Sequence, residues 1–315
     1  MKHGKYGKKF WTVARAVQIL AIVLLCAVTV VSCTSYGKRM WIGLFRAVRL
    51  SHFTADLPPD RLHIHVIDVG KADAILVESP EAAFLVDTGT QNTAEDVLRY
   101  LKARSIEHLD AVILSHGDSD HAGGLEKITE EIPADTLLIS AETESPYANM
   151  PVQRAVPDTK LFVSDLTLEI LAPTQSFAEE NDNSLVFRLQ YGDFSMLFCG
   201  DIQENAEKVL LESGVDLRAD VLKVAHHGSD TSSSTMFLQA VRPKYAVISA
   251  GEDRNLLPRN TVLKRLEAEN IRFYRTDLNG SVVLSADASG EILITTENAG
   301  LSAKNRSKQH EKIDY

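Results

Sequence analysis

The sequence predicts an α/β protein: a layered sandwich with helices outside two β-sheets, behind an N-terminal membrane-targeting helix. Three observations lead there. Short apolar runs recur between turn signals from residue 61 to about 298. The first half of that body is strand-rich with hairpins, as around "ESPEAAF", whereas the second half alternates strand and helix. Ahead of it, residues 16–33, "AVQILAIVLLCAVTVVSC", carry no formal charge over 18 positions.

Five basic residues (Lys2, Lys5, Lys8, Lys9 and Arg15) precede that run. Its length is at the lower edge for crossing a bilayer, and the basic flank would stay cytoplasmic and send the body outward. Residues 1–33 therefore read as a signal peptide, an uncleaved anchor or a lipoprotein signal. "VVSC" resembles a lipobox, with Cys33 as the lipidation site and Val30 where Leu is commoner. The location expected is the outer face of the cell membrane, or secretion if the signal is cleaved. Residues 34–60 read as a tether. Within it, "RMWIGLFRAVRL" interleaves apolar and basic residues, as a segment lying on a membrane does, though a short helix packed on the domain would look the same.

In the body, strands are expected at 62–69, 74–79, 83–87, 111–115, 136–140, 166–171, 184–191, 194–199, 220–225, 245–250 and 281–286. Each is a short aliphatic run bounded by Gly, Asp or Ser. Helices are expected at 92–103, 123–131, 203–213, 233–241 and 259–269. The domain is bounded at 61–298, and 299–315 is a polar tail expected to be disordered.

Composition narrows the function. Three cysteines make no disulfide framework. Nine of the 33 Lys and Arg, and none of the 43 Asp and Glu, lie in residues 1–50. The rest of the chain thus holds 24 basic and 43 acidic residues, a net charge of −19. Such a body repels polyanions and disfavours tight non-specific DNA binding, although bound divalent cations would offset part of it.

The chemistry is concentrated in "AVILSHGDSDHAGG", residues 111–124. A polar turn with an N-cap accounts for one Asp and Ser115. It does not account for His116, Asp118, Asp120 and His121 together, whereas a site for two adjacent divalent metals does. Gly123 and Gly124 then allow a tight turn into the next helix. Asp201 in "LFCGDI" and the His226–His227 pair in "KVAHHGSD" also follow apolar strands. Alone, Asp201 would pass for a helix cap. The paired histidines are better explained as a ligand and a supporting or acid/base partner. All three pieces leave the C-terminal ends of strands, where sites of α/β folds are built.

"SHGDSDHAGG" resembles the HxDxDHxGG signature of the metallo-β-lactamase superfamily. With "DVGKADAILVES", "FLVDTG", "NDNSLVFRL", "FCGDI", "VAHHGS" and "YRTDLNGSVVL" in that order, the chain resembles the hydrolase domain of ComEC-type DNA-internalisation competence proteins over nearly all of 61–290. The resemblance implies a four-layer αββα sandwich with a two-metal site on one edge. His116, Asp118, Asp120, His121, Asp201 (bridging) and His226 would be the ligands, with His227 the alternative to His226. Asp73 and Asp87 would support the ligands, and Asn183 and Ser184 would face substrate. The resemblance implies two divalent cations, Zn or Mn, that acidify a shared water. Asp120 would hold its proton and His227 would protonate the leaving group. Asp118, an extra hard oxygen donor, shifts the preference toward Mn. Lys71 and Ala72 stand where relatives show Gln-Gly, and Leu257 where many show His. The function expected is an extracytoplasmic, membrane-attached phosphodiesterase acting on nucleic acid or an envelope phosphodiester, with ester or lactone hydrolysis a weaker enzyme reading. A catalytically weak or inactive metal-binding scaffold is the reading from another class. The sequence does not give the oligomeric state.

Overall fold

The structure is a computed structural model and describes residues 57–143, 150–251 and 256–298. The targeting segment 1–33 with Cys33, most of the 34–60 tether and the 299–315 tail lie outside the described residues. Among those described, no helix is long and apolar enough to cross a membrane.

Two mixed sheets face each other. Strands β1 (Leu62–Val66), β2 (Ala74–Glu78), β3 (Ala83–Thr88), β4 (Ala111–Leu114), β5 (Leu137–Ser140) and β6 (Val152–Ala155) lie in the first. It has eight strands in the order β15-β14-β1-β2-β3-β4-β5-β6, completed by β14 (Val282–Ala286) and β15 (Ile292–Thr296). The second has seven, β13-β12-β11-β10-β9-β8-β7. These are β7 (Lys160–Val163), β8 (Leu166–Ala172), β9 (Val186–Tyr191), β10 (Phe194–Phe198), β11 (Val221–Lys223), β12 (Tyr245–Ile248) and β13 (Arg272–Arg275). The β3–β4–β5–β6 and β10–β11–β12–β13 runs are parallel.

The near-continuous apolar runs follow from burial on both faces. Leu62, Ile64 and Val66 of β1 point between the sheets, into a core shared with Phe187, Leu189, Phe194 and Phe198. There the Phe187 and Phe198 rings stack with centroids 4.7 Å apart. On the first sheet's outer face lie α1 (Ala94–Ala103), the short α2 (Ser119–Ala122) and α3 (Leu125–Glu131), which bury Val97, Leu98, Leu101, Leu125 and Ile128. On the second sheet's outer face, α4 (Glu204–Ser213), α5 (Thr235–Val241) and α6 (Asn260–Ala268) bury Leu210, Leu238 and Leu263. Each such Leu contributes about 1.5–3 kcal/mol.

Four strands lack a counterpart in the sequence pattern: β6, β7, β13 and β15. The expected 123–131 helix also divides into α2 and α3 around Gly123 and Gly124. These two glycines have ordinary negative φ, so their expected role in turning the backbone is not the reason for them. A Cβ on Gly124 would lie 2.2 Å from the Thr88 carbonyl oxygen, and one on Gly123 would lie 2.3 Å from that of Ser119. Only hydrogen lets the helix start press against the end of β3.

Candidate metal centre

The parallel strands point their C-terminal ends at one rim. Asp87 comes from β3, Ser115 and His116 follow β4, Asp201 follows β10, His226 and His227 follow β11, and Ser249 follows β12. Asp73, in the loop from β1 to β2, is tied to this rim through its backbone: its N–H donates to Asp120 O at 3.1 Å and its carbonyl accepts from Gly89 N at 2.7 Å.

Three imidazoles turn Nε2 toward a common centre because their Nδ1 atoms are engaged behind. His116 Nδ1 lies 3.0 Å from Ser115 Oγ, His121 Nδ1 2.9 Å from Asp87 Oδ2, and His227 Nδ1 3.2 Å from the Ser249 carbonyl. Asp87 also accepts from the Ser115 N–H and Oγ–H, both at 2.8 Å. Such outer contacts fix tautomer and ring direction. Inside, Asp201 Oδ1 lies 3.4 Å from His121 Nε2, and its Oδ2 lies 3.7 Å from His227 Nε2. Asp120 Oδ2 is 3.5 Å from His227 Nε2. His116, His121 and Asp201 can therefore offer one cation their atoms within 4.8 Å of one another, as can Asp120, His121 and His227. Asp201 lies between the two sets.

The electrostatics favour positive charge here. Burial opposes protonation of His121, but the Asp201 and Asp87 carboxylates outweigh it and raise its pKa well above the ordinary value. Burial would raise the Asp201 and Asp120 carboxyls; the surrounding imidazoles, and Lys71 at Asp120, hold both well below the usual range. Asp118 is held low first by the His116 imidazole beside it.

The placement redistributes several expected roles. His227 is fully buried within ligand reach, whereas His226, expected to be the ligand, keeps a partly exposed side chain with Nε2 3.9 Å from Asp201 Oδ2. Both residues adopt left-handed φ of 51° and 52°, and both Nε2 atoms approach Asp201 Oδ2, at 3.9 and 3.7 Å. Histidine is among the side chains more often found there, at some strain. Asp118 sits outward at 45% exposure, its Oδ2 3.6 Å from His116 Nε2. Asn183 and Ser184, expected to face substrate, do other work. The Asn183 amide donates to Phe177 O and accepts from Phe177 N, bracing its own loop. Ser184 is buried and accepts from the Asp201 N–H at 3.1 Å. Asp73 and Asp87 lie on the Nδ1 side of the imidazoles, Asp73 3.9 Å from both His121 and His227.

Three contributors, Lys223, Ser249 and Thr276, escape sequence reasoning, and a fourth, Lys71, stands out there only as a departure from the Gln-Gly of relatives. Lys223 is buried with Nζ 2.8 Å from Asp73 Oδ2, and Lys71 Nζ is 2.6 Å from Asp120 Oδ2. Ser249 presents the carbonyl behind His227. Thr276, in "RTDLNG", clamps the end of β12 by bonding both N–H and C=O of Ala250 through Oγ1.

The residues fit divalent cations. Nε2 of His116, His121 and His227 and Oδ1 of Asp201 are buried with no hydrogen-bond partner among the described residues. Orphan buried donors and acceptors are rare unless a ligand completes them. A hard-oxygen and imidazole donor set suits Zn or Mn.

Fold and site together define a two-sheet α/β sandwich with a candidate metal centre on one rim, and comparison with known proteins places it. The chain belongs to the metallo-β-lactamase superfamily, whose family model matches residues 67–252. Its curated relatives include competence proteins of ComEC type. It is 30% identical over 290 residues to competence protein ComA of Neisseria gonorrhoeae, covering 90% of this chain and 40% of that protein. It is 32% identical over 253 residues to ComE operon protein 3 of Bacillus subtilis, covering 70% and 32%. The chain thus spans less than half the length of these relatives. Among solved structures, the metallo-β-lactamase fold protein YhfI from Bacillus subtilis aligns with a TM-score of 0.51 and 14% identity, over 72% of this chain and all of that one. This likeness is one of fold.

Proposed function

We propose that the chain is an extracytoplasmic, membrane-attached phosphodiesterase that holds two divalent cations, Zn or Mn, and acts on nucleic acid or an envelope phosphodiester polymer. The observation that carries this reading is the convergence of three inward Nε2 atoms and two carboxylates, Asp120 and Asp201, on one rim. Divalent cations bound there supply Lewis acidity and make a water acidic enough to ionise near neutral pH. His116, His121 and Asp201 would hold one, and Asp120, His227 and Asp201 the other. Asp118 is the added oxygen donor beside His116. Asp120, ionised and facing the rim, accepts a proton from attacking water. His226, partly exposed at the mouth of the cluster with its Nε2 3.9 Å from Asp201 Oδ2, is the group positioned to exchange a proton with the leaving group. The relatives' names as competence proteins support a nucleic-acid substrate; the acidic body supports an envelope polymer equally. The uncharged run at 16–33 behind a basic flank supports the membrane location.

A scaffold reading draws on one observation: Leu257, apolar and buried, beside the turn that carries His227. The test is turnover. The full-length chain, given Mn²⁺ or Zn²⁺, should hydrolyse bis-p-nitrophenyl phosphate or single-stranded DNA, and Asp120→Ala should reduce this to background. Equal rates for the two proteins would establish the scaffold.

A further inference from the structure

Five carboxylates, Asp73, Asp87, Asp118, Asp120 and Asp201, surround the four imidazoles of this rim. Two ammonium groups pair with them. Lys223 is sealed in the interior on Asp73. Lys71 is different: its side chain is 27% exposed, and its Nζ lies 2.6 Å from Asp120 Oδ2. That oxygen is also the one 3.5 Å from His227 Nε2. Lys71 therefore occupies the same carboxylate oxygen that a cation held by Asp120, His227 and Asp201 would use.

The backbone beneath Lys71 is held in place. A Cβ on Gly251 would lie 2.6 Å from both Gly70 Cα and Lys71 N, so the end of β12 presses directly on this loop. The loop is also tied down at Asp73 by the two backbone hydrogen bonds to Asp120 and Gly89. With its backbone fixed, the flexible lysine side chain can only shorten or extend from one anchor.

We infer that Lys71 is an internal cation that competes with the divalent ion for Asp120, so that this chain binds one ion tightly on the His116–Asp201 side and a second more weakly on the Asp120–His227 side. The inference rests on the two-cation reading above. A positive charge on one lone pair of a carboxylate weakens its donation to a metal, and the two cations repel at a few ångströms in a partly desolvated site. As the second ion binds, the ammonium is driven toward the rim, where solvent or an anionic substrate meets it.

The test is Mn²⁺ titration of the full-length chain, with free Mn²⁺ read by electron paramagnetic resonance, for the unaltered protein and for Lys71→Met, Lys71→Gln and Lys71→Arg. Matched thermal melting controls for folding; two neutral variants guard against one that folds poorly. The expected result is two affinities in the unaltered protein. The weaker should tighten about tenfold or more, about 1.4 kcal/mol, in both neutral variants and stay unchanged in Lys71→Arg. Unchanged or weakened binding in the neutral variants overturns the inference and leaves the two-cation reading standing. Binding of no ion by any of the four proteins overturns both.

Discussion

Asp87 carries three hydrogen bonds that determine where two histidines point, and Asp87→Asn tests them. The carboxylate accepts from Ser115 N, Ser115 Oγ and His121 Nδ1, at 2.8, 2.8 and 2.9 Å. Because the Ser115 hydroxyl donates to Asp87, its oxygen accepts from His116 Nδ1 at 3.0 Å. Both imidazoles are thereby kept with a proton on Nδ1, so that Nε2 is the nitrogen left to face a metal. Asparagine tolerates the left-handed φ of 56° at this position, so the backbone is spared. Its Oδ1 can still accept from Ser115 N, but its NH₂ must face two former donors. His121 then moves its proton to Nε2, and the Ser115 hydroxyl turns away from Asp87. Loss of one such outer contact costs 10- to 100-fold in metal affinity, and disturbing two ligands puts the loss at the upper end, about 2–3 kcal/mol. Isothermal titration with Zn²⁺ or Mn²⁺ reads it, with thermal melting of the metal-free protein expected to move little. Unchanged affinity would refute the tautomer argument. Asp87→Ala should lose comparable affinity and also stability, since alanine pays the left-handed backbone cost of about 1 kcal/mol.

The two adjacent histidines should separate cleanly: His227→Gln is expected to lose one bound cation per chain by elemental analysis. His226→Gln should keep both and lose turnover, flattening one limb of the pH–rate profile; equal metal loss in the two would contradict the assignment. Away from the centre, a second buried cluster adds to the acid sensitivity that the lowered Asp120 and Asp201 carboxyls already confer. His65 is buried on the outer face of β1, its Nδ1 2.9 Å from Tyr100 Oη and its Nε2 3.3 Å from Glu78, and burial lowers its pKa. The unfolded chain protonates that histidine first, so stability falls as pH drops below about 6.5. Glu78, which burial would raise, is held down to about 2 by His65 and Arg104. Its contribution is full above 4.5 and is lost between there and about 2. Urea midpoints between pH 8 and 3 should therefore fall in two stages, and Glu78→Gln should shrink the lower stage while costing about 2 kcal/mol at pH 7; an unaltered profile in Glu78→Gln would contradict this.

Two patterns made elements legible in the sequence. β1–β5, β11, β12 and β14 are aliphatic runs because nearly all their residues are buried, whereas β8–β10 alternate, with Thr167, Glu169, Arg188, Gln190 and Ser195 on the less buried face. "VQRA" of β6 and "KLFV" of β7 are edge strands with exposed faces, Phe162 among them at 74% exposure. "RFYR" of β13 and β15 also close sheet edges, and an edge needs no continuous apolar pattern. At the site, ligand types clustered in one loop were visible because proximity in sequence is proximity in space. The partnership of Lys71 with Asp120 spans 49 positions and that of Lys223 with Asp73 spans three times as many, so neither leaves a local mark. Which of His226 and His227 turns inward depends on two left-handed φ angles, and "AHHGS" does not encode the choice in its spacing.

The central claim is that side chains scattered from Asp73 to His227 meet to hold a pair of cations. Crystals of the protein grown with Mn²⁺ and measured at an energy where manganese scatters anomalously would test it most directly. The account predicts two anomalous peaks about 3.5–4 Å apart, one against His116 and Asp201, the other against Asp120 and His227. A map with no peak within ligand distance of Asp201 and His227 would contradict it.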